Sequence, residues 1–80
     1  MNEIQNRVSQ CFANVFPDLP AAELPKVSMA SLARWDSIAQ VTLLAAIAEE
    51  FSLDFAPEDF EDLTSFALIA DFVRDRVSGG

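Results

Sequence analysis

Residues 35–51 read WDSIAQVTLLAAIAEEF, and the reading of this stretch decides the fold. Asp36 is a good N-cap residue, and its negative charge suits the positive end of a helix dipole. After it, Ile38, Val41, Leu44, Ala45, Ala48 and Phe51 recur at helical spacing and are expected to form the core stripe of the strongest helix in the chain. Leu43 and Ile47 lie off that stripe, so the middle of the helix is apolar nearly all round. Such a helix is either central in a bundle or turns an apolar patch toward something else.

Upstream, Ile4, Val8, Cys11, Phe12 and Val15 form one stripe of an amphipathic helix expected over residues 3–16. Asn2 is its expected cap, with Gln5 in the capping-box position, and Pro17 ends it because proline disfavours helical geometry at the preceding Phe16. Residues 17–35 carry Pro17, Pro20 and Pro25 and no sustained period. Their apolar residues Leu19, Leu24, Val27, Met29, Leu32 and Trp35 argue for a long connection pinned onto the core, with a short helical turn near residues 21–24. Downstream, Leu53 and Phe55 point inward from a connector, and Pro57 opens a short helix to Asp62 with Phe60 inward. Thr64 is the expected cap of a last helix whose stripe is Phe66, Ile69, Ala70, Val73 and Val77. Arg74 and Arg76 suit its C-terminal end, and Gly79 and Gly80 close the chain. The expectation is an all-α single domain over residues 1–80, a small four-helix bundle of three main helices and a short third one.

Eighty residues leave no room for a second core, and a chain that is 51% apolar and 22% charged is not composed like a disordered segment. Thirteen acids against five bases give a formal net charge of -8, which repels nucleic-acid phosphates and anionic headgroups and favours partners with basic docking patches. With no histidine and only Cys11, histidine-based triads, the usual zinc ligand sets and an internal disulfide framework are excluded. Residues 1–10 do not read as a targeting segment, and the apolar run 41–48 is too short to cross a bilayer. A single thiol with no signal peptide fits a reducing compartment, so a cytoplasmic protein is expected.

Among Ser9, Ser28, Ser31, Ser37, Ser52, Ser65 and Ser78, only Ser37 stands in the first turn of a strong helix, directly after an acidic cap and at the end of a long anchored loop. Unpaired N–H groups there make a ready site for a phosphate, so a phosphodiester on Ser37 Oγ is well placed. From position alone, Asp36-Ser37 reads first as an ordinary capping pair. The wider string changes that weighting. Trp35-Asp36-Ser37-Ile38, followed by Gln40-Val41 and the run from Leu44 to Glu49-Glu50-Phe51, resembles the attachment-site signature of acyl carrier proteins, and the resemblance extends over essentially the whole chain. It implies that Ser37 receives 4′-phosphopantetheine from coenzyme A through a phosphopantetheinyl transferase, with Asp36 as the helix cap beside it. It further implies a thiol-terminated arm that carries acyl groups as thioesters to acyl-transferring or acyl-activating enzymes, as in fatty-acid, polyketide and other lipid pathways. A monomeric carrier with no catalytic residues, no metal and no membrane insertion is expected.

Several positions depart from that pattern. Trp35 stands where many fatty-acid carriers have glycine, Ile38 replaces the more usual leucine, and the outer face of the signature helix reads Ala39, Thr42 and Ala46 in place of acids. Small neutral side chains permit close approach but no charge steering, so docking is expected to depend on apolar complementarity and the carrier to be a specialised one. Ile38, Ala39, Thr42, Leu43, Glu49 and Glu50 are the expected partner contacts; Val41 also faces that choice but reads first as core. By resemblance, an acyl chain slips between this helix and the later ones near Val41, Leu44, Leu63 and Leu68, positions that equally suit bundle packing.

Phe51, Phe55, Phe60, Phe66 and Phe72 read as core, and Cys11 as an inert buried thiol. Asp54, Glu58, Asp59, Glu61 and Asp62 lack the glycine a calcium loop needs and read as a solvated acidic face. Two other functions fit the same helix plan: a peptidyl or aminoacyl carrier using the same serine, and an unmodified helical interaction module in which Ser37 is only part of a cap.

Overall fold

Helix α1, Glu3–Val15, forms where its apolar residues share one stripe: Val8, Cys11 and Phe12 are buried, with Ile4 and Val15 packed against their edge. The computed structural model describes residues 3–79, the side chains of 21, 78 and 79 excepted, so the expected Asn2 cap and the final Gly80 lie outside the described residues. The last turn of α1 closes with the Phe16 N–H donating to the Phe12 carbonyl at 2.7 Å, and Pro17 stops it there.

The connection to the next helix is pinned, as its apolar residues require. A 3-10 helix spans Ala21–Lys26, two residues longer than the expected turn, and Leu24, Val27 and Trp35 are buried. The Met29 N–H donates to the Thr64 carbonyl at 2.9 Å and the Phe66 N–H to the Val27 carbonyl at 3.1 Å. Around these bonds Ser28 and Ser65 form an isolated antiparallel bridge, and among the described residues there is no strand. Trp35 then stands edge-on to Phe12, with ring centroids 5.3 Å apart, and Phe12 meets Phe66 at 5.1 Å. Three segments distant in sequence thus share one aromatic centre.

Helix α2, Ser37–Phe51, is the central element, but it is rotated from the stripe its spacing predicts. Its buried residues are Gln40, Leu43, Leu44 and Ile47, while Ile38 is 79% and Val41 55% exposed and Ala45 is exposed as well. Of the predicted stripe only Leu44 is fully inside, with Ala48 and Phe51 half-buried. A helix apolar on every side carries no periodic signal to set its phase, and here Gln40, Leu43, Leu44 and Ile47 take the interior, with Gln40 held there by Trp35 and the Leu63 carbonyl. At its end Ser52 adopts the left-handed conformation, φ 56° and ψ 47°. The Arg7 Nε donates to Glu50 Oε2 at 2.7 Å, another guanidinium nitrogen reaches the Glu50 carbonyl at 2.8 Å, and the group lies 4.4 Å from the centre of the Phe51 ring. Arg7 therefore ties the start of α1 to the last turn of α2 and satisfies a carbonyl that the helix end leaves open.

Helix α3, Asp59–Asp62, begins two residues after Pro57, because Pro57 and Glu58 form a turn and the Asp59 carboxylate accepts the Ala56 N–H at 2.8 Å. Helix α4 spans Phe66–Gly79. Its cap is Ser65, whose Oγ accepts the Leu68 N–H at 3.1 Å; Thr64, the residue expected there, is one position too early. Phe66, Ile69, Ala70 and Val73 are buried, but Val77 is largely exposed. Ile4 and Gln5 share a hollow with Ala70, Asp71 and Arg74, where the start of α1 lies beside α4. Phe55 stacks on Phe72 at 5.3 Å and holds the connector after α2 against α4. The result is the all-α four-helix domain, with α3 the short member.

Candidate functional site

The head of α2 is built by two side chains that precede Ser37. Asp36 sits in extended backbone and its Oδ1 accepts the Ala39 N–H at 2.9 Å, while its carbonyl accepts the Gln40 N–H at 2.9 Å. These bonds fix where the helix starts and leave the N–H groups of Ser37 and Ile38, the first two of the helix, directed out of its end. Trp35 is buried, 1% exposed, so the chain enters the helix from a fixed anchor. Ser37 is exposed, two residues beyond the anchor.

The anchor is polar as well as apolar. The Trp35 Nε1–H donates to Gln40 Oε1 at 2.6 Å, and Gln40 Nε2 donates to the Leu63 carbonyl at 2.7 Å and the Phe60 carbonyl at 3.3 Å. Gln40 is 2% exposed, the one polar side chain in the described core. A buried amide is tolerated when its donors and acceptor are all met, as here. It joins the residue before Asp36, the second turn of α2 and the α3–α4 connection in one network. Sequence spacing did not single it out; the available signal is the indole N–H five residues earlier, which needs an acceptor once the ring is buried.

Of the expected partner contacts, Ile38, Thr42 and Glu49 are exposed and Ala39 is half-buried. The Thr42 hydroxyl donates to the Ile38 carbonyl at 3.2 Å, so even this polar side chain has turned its donor back into the helix. Leu43 has no exposed surface and cannot contact a partner; its off-stripe position faces the core because the whole helix is rotated from the predicted phase. Val41, read first as core, is on the outside for the same reason. Glu50 is exposed but its carboxylate is already engaged by Arg7. Of the four positions expected to take an acyl chain, Leu44 and Leu63 are in the core, whereas Val41 and Leu68 are exposed.

Elsewhere, burial raises the Cys11 thiol pKa, the Glu50 carboxylate adds to the rise and Arg7 opposes it. Arg34 reaches Asp18 at 3.1 Å and Arg74 reaches Asp71 at 3.2 Å, both pairs exposed. Among the described residues no helix is long and apolar enough to cross a membrane.

The described residues thus form a small all-helical domain with an exposed serine at the head of its central helix. The family model described as the phosphopantetheine attachment site matches residues 6–73, and the chain belongs to that family, whose prosthetic group is 4′-phosphopantetheine. The chain is also similar to a protein named acyl carrier protein from Thermosynechococcus vestitus, with 29% identity over 77 residues, 96% of this chain and 95% of the relative. No solved structure matches it. The head of α2 fits such a group: Ser37 is exposed, and the first N–H groups of a helix suit a phosphate.

Proposed function

We propose that the protein is an acyl carrier in which Ser37 Oγ bears the 4′-phosphopantetheine arm. The observation that carries this is the exposed Ser37 directly after the Asp36 cap and two residues beyond the buried Trp35 anchor. Ser37 Oγ forms the phosphodiester; Asp36 holds the first turn so that the Ser37 and Ile38 N–H groups meet the phosphate; Trp35 and Gln40 keep that turn from shifting. When attached, the arm supplies a terminal thiol that holds an acyl group as a thioester. A flexible tether raises the concentration of its cargo around partner enzymes without contacts to the cargo itself, so the chain needs no catalytic residues of its own. Its partners are a phosphopantetheinyl transferase and enzymes that load and unload acyl groups in the cytoplasm, and it meets them as a monomer.

The carrier is specialised. Its docking face beside Ser37 is Ile38, Ala39, Val41, Thr42 and Ala45, which carries no charge, while Glu49 lies toward the far end of α2. Apolar contact there replaces charge steering, so transfer by its own partners is expected to change little as salt rises. Incubation with coenzyme A and a broad-specificity phosphopantetheinyl transferase is expected to give a phosphopantetheinyl mass adduct that is absent in Ser37→Ala. An unmodified wild-type protein would sink the carrier reading and leave the interaction module in its place.

A further inference from the structure

Gln40 stands where a hydrocarbon chain tethered at Ser37 would have to pass to enter the bundle between α2 and the segment from α3 to α4. Its amide spans that gap, bonded on one side to Trp35 and on the other to the Leu63 and Phe60 carbonyls. Leu44, Ile47 and Ile69 are fully buried in the core. Two hollows of the structure lie away from this gap: one of 220 Å³ beside Phe16, Leu19 and Leu24, and one of 400 Å³ between Glu23 and Leu32. An entering chain would therefore have to break a satisfied buried network and leave the Trp35 N–H and two carbonyls without partners in an apolar surround, which opposes the gain from burying methylenes. Outside the gap, Ile38 and Val41 offer uncovered apolar surface within one turn of Ser37.

We infer that Gln40 is a specificity-determining residue that closes the interior to the acyl chain, so that this carrier holds its cargo at its surface. The inference rests on Ser37 as the point of attachment. The test loads the protein with acetyl- or decanoyl-phosphopantetheine, confirms each adduct on Ser37 by mass, and follows thioester cleavage by hydroxylamine in wild type, Gln40→Met and Gln40→Ala. A missing adduct overturns the attachment reading before cleavage is measured. With the adduct in place, acetyl and decanoyl thioesters are expected to cleave at equal rates in wild type. In Gln40→Ala, and less so in Gln40→Met, the decanoyl thioester is expected to be protected several-fold relative to acetyl. Protection of the decanoyl thioester already in wild type overturns the inference even if neither variant folds, and equal rates in all folded proteins remove Gln40 as the determinant.

Discussion

The indole N–H of Trp35 and the side-chain oxygen of Gln40 meet at 2.6 Å in the protein interior, across the point where the chain enters α2. Because Gln40 also holds the Leu63 carbonyl at 2.7 Å, replacing it with leucine strands a donor and at least one acceptor in the core. Each such group costs about 1–3 kcal/mol, so Gln40→Leu is expected to lower stability by about 2–4 kcal/mol despite its greater hydrophobicity. Urea unfolding checks this, and Trp35→Phe, which removes the donor along with its need, is expected to soften the effect in a double-mutant cycle.

Asp36 acts through one acceptor atom, Oδ1, on the Ala39 N–H. Asp36→Ala is expected to destabilise by about 1 kcal/mol, whereas Asp36→Asn, which keeps the acceptor, changes stability by no more than a few tenths. Thermal unfolding of the pair separates the cap bond from the charge.

Ser52 pays a steric penalty at φ 56° that glycine does not. Ser52→Gly is expected to stabilise by about 0.5–1 kcal/mol, which for a domain of this size corresponds to a rise of roughly 2–8 °C in Tm. A lower Tm would show that the left-handed turn is not strained.

Burial holds the Cys11 thiol above its ordinary pKa, with Glu50 reinforcing and Arg7 opposing the shift. The folded state thus binds this proton more tightly than the unfolded chain. Its contribution to stability is complete below the unfolded-state value, about pH 8.5, and is lost as pH rises through the folded-state value. Stability is expected to fall across that alkaline window in wild type and to stay flatter in Cys11→Ala, compared by urea unfolding at each pH. The same burial makes Cys11 slow toward thiol reagents until the protein unfolds.

How much of this is legible in the sequence differs from helix to helix. In α1 the polar residues Gln5, Asn6, Ser9, Gln10 and Asn14 fill the spaces between apolar ones, so spacing fixes the buried face. In α2 alanines and branched residues surround the axis, and no count of spacings separates Leu43 from Val41. The phase is decided by tertiary partners, above all Trp35 and the Leu63 carbonyl on Gln40, which no local window contains. The same holds for the α4 cap: Thr64 and Ser65 are equivalent as cap residues, and the Met29–Thr64 and Phe66–Val27 bonds are what place Ser65 at the helix start. Ser37 is legible because its signal is local, an acid and a hydroxyl at a helix head.

Trp35 is also the only tryptophan in the chain, and it lies two residues before Ser37. Its ring is shut away from water and its N–H is tied to Gln40. The molecule therefore contains its own optical reporter, with a blue-shifted emission that originates next to the candidate attachment point. Loading that leaves the interior closed keeps this emission fixed, and any opening of the Gln40 network moves it to the red, without a label on either carrier or cargo.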